Sequence, residues 1–131
     1  MRKATIKKEV LALKQVLDII PGNIYWKNAK GEFIWCNLSQ VQDIGASSVD
    51  EIIGKTAFDT LPYEQAKEIF DADIKIMSSK KMKIIEEWIV RSDNEKRRML
   101  SYKSPLLDKS ENVVGIIGIS LDITEKYFLE E

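Results

Sequence analysis

The fold turns on Gly115-Ile116-Ile117-Gly118-Ile119-Ser120-Leu121-Asp122-Ile123-Thr124. Upstream, the turn-forming Asp108-Lys109-Ser110-Glu111 bounds an apolar, β-branched run, which reads as a strand. The run leads without a loop into Asp122 and Thr124, both good helix N-cap residues. Asp122 with Glu125 also has the D-x-x-E form of a capping box. The sequence thus predicts a strand feeding directly into an exit helix. Only about two turns of that helix are present, too few to hold alone, so the helix is expected to continue in a larger parent protein.

Working outward, residues 83–91, 96–106 and 112–121 read as three strands. Their short turns, Ser92-Asp93-Asn94-Glu95 and Asp108-Lys109-Ser110-Glu111, make them an antiparallel meander. Before them, Pro62 suits the first turn of a helix to about residue 79, with Ala66, Ile69, Phe70, Ile74 and Met77 as its apolar set. Ser48 and Glu51 form an S-x-x-E signature for a one-turn helix ending at Gly54. Asn37 and Gln40 cap another short helix that ends at Gly45, with Val41 and Ile44 facing the core. The runs 23–28 and 32–36 flank Asn28-Ala29-Lys30-Gly31 as a hairpin.

At the start, residues 4–20 place Ile6, Val10, Leu13, Leu17 and Ile20 in a heptad seam, widened by Leu11, Val16 and Ile19. Such a stripe serves either a partner helix or the helix's own domain. Pro21-Gly22 ends it. The whole order is α+β: a five-stranded antiparallel sheet with short helices on one face, an N-terminal amphipathic helix and the start of a C-terminal exit helix. The expected division is an N-terminal helix at 1–20, a core at 21–122 and a signalling helix from 123 to 131.

Composition removes several function classes. The chain has 131 residues, enough for one domain, and 20 basic against 21 acidic side chains. This near-neutral balance does not suit a grip on a phosphate backbone, so no nucleic-acid partner is expected. No apolar run reaches the ~20 residues of a membrane span. The absence of histidine removes histidine bases, triads, zinc sites and histidine-ligated haem. The single cysteine, Cys36, excludes an intrachain disulfide and a cysteine-rich metal site, which fits a cytoplasmic setting. No nucleophile with a base, phosphate loop or metal cluster is present, and no catalytic residue or metal ligand is assigned. Glu86 and Glu87, as strand neighbours, point to opposite faces and are not paired for catalysis. Lys80-Lys81 and Arg97-Arg98 read as solvated turn and strand surface.

Four segments, in this order on these elements, resemble a bacterial sensory PAS domain over nearly all of residues 14–131. Residues 115–124 resemble its closing strand and DIT exit motif. Ile20-Pro21 with Ile24-Tyr25-Trp26-Lys27-Asn28 and Gly31 is similar to a P…YWKD…G opening, with Asn28 where Asp is usual. Glu51-Ile52-Ile53-Gly54-Lys55-Thr56 resembles an EEIIGKT segment, and Lys103-Ser104-Pro105-Leu106 a KSPL strand end. The resemblance implies a sensor or interaction module upstream of an output domain such as a histidine kinase, a diguanylate cyclase or a DNA-binding domain. It also implies homodimerisation through the N-terminal helix and outer sheet face. Its core holds haem, flavin, a small metabolite or nothing.

The resemblance allows cofactors to be tested. Ala57 stands where the photoactive flavin subgroup carries its cysteine, and Ser120 where that subgroup carries a flavin-reading glutamine, so no photoactive flavin is expected. Cys36 reads as a small buried hydrophobe. The cofactor is otherwise left open.

With the register the resemblance implies, Ile116, Gly118 and Ser120 face inward, and Ile117, Ile119 and Leu121 outward. The outward three, with Ile6, Val10, Leu13 and Leu17, are the candidate dimer interface. Gly118 would leave room and Ser120 offer a hydroxyl, with Met99 and Ser101 on the same side. Trp26, Val41, Ile44, Phe58, Ile69 and Ile89 complete the expected pocket wall. A filled core with no ligand is the alternative, leaving a module for dimerisation and relay. Lys103 also points inward and needs a partner, with Glu87, Asp122 or a ligand carboxylate as candidates. Asp122 and Thr124 are expected to cap the exit helix and couple it to the sheet. A small cavity enzyme using Cys36 or Lys103 is the reading from another class, and the missing histidine counts against it.

Overall fold

The computed structural model describes residues 2–130. α1 (Arg2–Ile19) leads into β1 (Asn23–Asn28) and β2 (Phe33–Cys36). Next come α2 (Leu38–Ile44), a 3-10 turn (Val49–Glu51), α3 (Ala57–Thr60) and α4 (Tyr63–Ser79). β3 (Lys83–Val90), β4 (Lys96–Leu107), β5 (Val113–Asp122) and α5 (Thr124–Leu129) complete the chain. The strands form one antiparallel sheet in the order β2-β1-β5-β4-β3. This is the α+β architecture read from the sequence. The last strand lies in the middle because β1 pairs with β5 along its full length, from Asn23 opposite Ser120 to Asn28 opposite Gly115.

Local chemistry explains the short elements. The Asn37 side chain accepts from Gln40 N–H as the cap of α2, and Gly45, at φ 86°, ends that helix in the left-handed region. Asn37 does more than cap. Fully buried, it donates to the carbonyls of Leu17 (2.8 Å) and Gly22 (2.9 Å) and accepts from Ile24 N–H (3.0 Å). One amide thereby ties the end of α1, the start of β1 and the start of α2. The Ser48 box does not form: the Glu51 carboxylate accepts from Ser47 N–H instead, and only a 3-10 turn results. Thr56 and Asp59 supply an unforeseen cap, with Asp59 accepting from Thr56 N–H at 2.8 Å.

On α4 the buried residues are Ala66, Ile69, Asp73 and Ile76, one face at helical spacing. This corrects the expected apolar set. Ile74 is exposed, while Phe70 and Met77 are partly buried. A charged residue, Asp73, occupies the core phase.

The core lies between α2–α4 and the inner sheet face. One cluster joins Tyr25, Phe33, Cys36, Val41 and Ile52; another joins Ala57, Ala66 and Ile69, with Leu61 and Ile89 packed against it. The outer face is less covered. Ile119 is 40% and Leu121 38% exposed, Ile117 is half-buried, and Tyr102 and Ile84 are also exposed. No α1 residue is buried, and Ile6, Val10 and Leu13 remain exposed.

Gly118 is a close approach. A Cβ there would lie 2.3 Å from the Tyr25 ring, so the ring fills the space that the missing side chain leaves. Gly118→Ala is expected to cost about 1–3 kcal/mol through overpacking. Asn37→Ala, which strands several buried polar groups, is expected to cost about 3 kcal/mol. Urea denaturation midpoints of the two variants against the parent check both.

Candidate functional site

Strand alternation sends Asn23, Tyr25 and Lys27 of β1, Glu87 and Ile89 of β3, Met99, Ser101 and Lys103 of β4, and Ser120 of β5 toward the helices. Two lysines and two carboxylates meet there. Lys103 Nζ donates to Asp73 Oδ1 at 2.9 Å and to Glu87 Oε1 at 2.7 Å, and Lys27 Nζ reaches Asp73 Oδ2 at 3.3 Å. Lys103 is completely buried, and Lys27 and Asp73 nearly so. Ser101 donates to Glu87 Oε2 at 3.0 Å and lies 2.8 Å from the Ser120 hydroxyl.

Glu87, one partner expected for Lys103, is present. Asp122 is not, because it pairs with Arg97 at the other end of β4. Asp73 and Lys27 were missed in the sequence. The available signals were the phase of Asp73 with Ala66 and Ile69, and the alternation of Lys27 with Asn23 and Tyr25.

The charges shape one another. Burial acts to lower the Lys103 pKa, but Tyr25, Asp73 and Glu87 outweigh it and raise it above the usual lysine range. Burial lowers that of Lys27, against the pull of Asp73. Burial also pushes the Tyr25 phenol up to about 12.

Beside this network is a cavity of about 50 Å³. Its apolar wall includes Phe33, Ile44, Leu61, Ile69, Ile89 and Met99; its polar wall includes Asn23, Tyr25, Lys27, Glu87 and Ser120. Ile44, Thr60, Leu61 and Val90 also line an open groove of about 350 Å³, so the cavity borders the surface there.

Among the expected wall residues, Ile44, Ile69, Ile89, Met99 and Ser120 line the cavity. Ser101 and Lys103 stand behind the wall in the polar network, Val41 packs in the neighbouring cluster, and Gly118 is covered by Tyr25. Two expectations need correction. Trp26 alternates to the outer face and stacks on Trp35 at 5.0 Å. Phe58 is 41% exposed, on the surface of α3 against Tyr63 and Phe70.

At the sheet end, Asp122 Oδ1 accepts from Thr124 N–H (2.9 Å) and hydroxyl (2.6 Å), and its Oδ2 accepts from Arg97 Nε (2.7 Å). Burial acts to raise the Asp122 carboxyl pKa, but the bonds from Arg97 and Thr124 hold it below the usual range. The Thr124 hydroxyl accepts from Arg98 N–H at 2.8 Å, and Ile123 N–H donates to the Arg98 carbonyl. Tyr127 and Phe128 of α5 pack on Trp88 of β3, with the Arg98 guanidinium over the Trp88 and Tyr127 rings. Arg97 and Arg98 therefore clamp the exit helix rather than form a solvated patch.

A family model described as the PAS fold matches residues 17–127. The chain is 32% identical over 114 residues to the uncharacterized protein y4lL of Sinorhizobium fredii, covering 84% of this chain and 13% of that protein. It is 27% identical to a diguanylate cyclase of Vibrio cholerae, covering 88% of this chain and 36% of the cyclase. It is also 27% identical to the aerobic respiration control sensor protein ArcB of Escherichia coli, covering 87% of this chain and 14% of ArcB. The chain thus spans between about an eighth and a third of the length of these relatives.

Among solved structures, a Vibrio cholerae VqmA–ligand–DNA complex superposes with a TM-score of 0.78 at 21% identity, over 87% of this chain and 51% of that one. The PAS domain of a Colwellia psychrerythraea protein superposes at 0.72 and 20% identity, over 88% and 98%. At these identities the likeness is one of fold.

Asp73→Ala leaves Lys27 without its carboxylate and Lys103 with only Glu87. It is expected to cost about 3–5 kcal/mol, as breaking a buried ion pair does, measured by urea denaturation. A second expectation concerns alkaline pH. The fold holds the Tyr25 phenol protonated, with a pKa of about 12 against an ordinary 10.0. Its contribution is complete below pH 10 and is lost as the pH rises from there through 12. The raised Lys103 acts in the same direction. Denaturation midpoints should fall over that interval, and less steeply in Tyr25→Phe.

Proposed function

The chain belongs to the PAS-fold family, and from that premise we propose that it is the sensory module of a bacterial signal-transduction protein. It takes a small molecule into the cavity beside the Lys27–Asp73–Lys103–Glu87 network and relays the state through α5. The observation carrying this reading is the direct strand connection between cavity and clamp. β4 bears Lys103, Ser101 and Met99 on the cavity side and Arg97 and Arg98 at the exit helix, while β5 bears Ser120 and Asp122. A ligand that shifts β4 against β5 changes the geometry in which Asp122 and Thr124 hold α5, which is the element with two poses that a switch requires.

The diguanylate cyclase and the respiration control sensor among the relatives support a signalling output domain in the parent, with a histidine kinase or a diguanylate cyclase as the proposed types. A cytoplasmic setting is proposed with it; among the described residues no helix is long and apolar enough to cross a membrane. The segment itself is assigned no catalysis. Burial, and then Asp18, push the Cys36 thiol up to about 12, far from a nucleophile's range. Lys103 is held protonated between two carboxylates. The near-neutral charge supports a reading without nucleic-acid contact, although a solved VqmA structure of this fold includes DNA.

A second reading, a ligand-free module for dimerisation and relay, draws on the small cavity and on the exposed Ile119 and Leu121. The surface formed by Ile117, Ile119 and Leu121, together with the α1 stripe of Ile6, Val10, Leu13 and Leu17, fits a second copy of the chain. Both apolar surfaces belong to one protein, and each lacks a full cover within it.

Native followed by denaturing mass spectrometry of the purified protein separates the two readings. Excess mass that is lost on denaturation supports the ligand sensor. A clean apo mass at twice the chain mass favours dimeric relay. In the parent protein, Asp122→Ala is expected to uncouple input from output while the domain still folds. Signalling indistinguishable from wild type would refute the relay.

A further inference from the structure

The buried network has a charge count and a donor count, and together they constrain the ligand. With both lysines protonated, Lys27 and Lys103 balance Asp73 and Glu87, and the group sums to zero without any ligand. Every carboxylate oxygen in it has a partner: Asp73 Oδ1 and Oδ2 bind the two lysines, and Glu87 Oε1 and Oε2 bind Lys103 and Ser101. Lys103 is held by two carboxylates and does not line the cavity. Lys27 differs. It lines the cavity, is nearly fully buried, and has one oxygen partner at 3.3 Å. An ammonium has three N–H donors. Its Nζ also lies over the rings of Tyr25 and Phe33, 5.2 and 4.9 Å from their centroids. Both rings also line the cavity.

Resting on the reading of the core as a ligand site, we infer that Lys27 is the cation that touches the ligand. The ligand is a small uncharged molecule, presenting a neutral hydrogen-bond acceptor to Lys27 Nζ and an apolar body to the Phe33 side of the cavity. A carboxylate ligand would add an uncompensated negative charge to a balanced, buried ionic group, a costly arrangement. It would also approach Glu87 and Asp43, which line the same space. A neutral acceptor fills the free valence of Lys27 and leaves the charge sum at zero. This reassigns the contact role from Lys103, the lysine the sequence points to, to Lys27.

The test uses matched neutral and anionic probes small enough for the cavity: acetamide against acetate, and propionamide against propionate. Each is titrated into the isotope-labelled full chain, and the backbone amides of Tyr25, Lys27 and Ser120 are followed by NMR. The amides should shift these signals with affinity at least about tenfold above that of their acids. The Lys27→Met/Asp73→Asn double variant removes the donor while keeping the buried charge at zero. It should retain a wild-type spectrum at the exit helix and bind the amides about tenfold or more weakly. Equal or tighter binding of the acids overturns the ligand class while leaving a core ligand site standing. Unchanged amide affinity in the double variant overturns the role of Lys27. No shift at these residues with any of the probes overturns this inference and the core-ligand reading together.

Discussion

Asp73 is the point on which the rest of the structure depends. It is the one acidic side chain on the buried face of α4, and its two oxygens hold Lys103 of β4 and Lys27 of β1. A charge placed in that position is tolerable only with partners. The pairing therefore fixes how the long helix crosses the sheet, because a small rotation of α4 would separate the carboxylate from both lysines. Hydrophobic contacts such as Ala66 and Ile69 draw the helix to the sheet but are less particular about angle. The ionic group adds direction to a packing that apolar burial alone leaves looser. The same group keeps polar atoms at one end of the cavity, opposite a wall of Ile44, Ile69 and Ile89.

Mechanical continuity follows from the strand order. β5 lies at the centre of the sheet, hydrogen-bonded to β1 and β4, and it passes directly into the residues that hold α5. Ser101 and Ser120 join β4 to β5 near the buried charges; Arg97 and Arg98 join β4 to Asp122 and Thr124 at the exit. Trp88 adds the edge strand to this end by packing on Tyr127 and Phe128. The exit helix is thus held by two chemistries, a charged clamp at its first turn and an aromatic contact along its side.

Particular residues show how far the sequence could be read. The Gly115–Thr124 stretch and its alternation led to the meander and the exit helix, although α5 has Ile123 as its N-cap with no side-chain cap bond in place of the expected Asp122–Glu125 box, and the three C-terminal strands end within one residue of expectation. Ile44, Ile69, Ile89, Met99 and Ser120 lie on the cavity because period-2 and period-3.6 patterns survive into the structure. Trp26 and Phe58 did not follow. A large aromatic residue reads as core from composition, yet β1 alternation sends Trp26 to the outer face, and the short α3 leaves Phe58 at the surface. Asp73 carries no apolar signature, so only its phase with Ala66 and Ile69 places it on the buried face of α4.

The sequence by itself determined the order of elements apart from α3, most strand faces, most helix ends and the absence of histidine chemistry. These depend on neighbours a few residues apart, where backbone geometry sets the period and a cap is decided locally. Only the tertiary structure decided that Lys27 meets Asp73 across 46 positions and Lys103 meets it across 30. It alone decided that Tyr25 fills the space above Gly118, and that Arg97 and Arg98 reach the exit helix rather than solvent. Such meetings require the register between strands and the placement of α4 over the sheet, and both arise from the packing of the whole chain at once.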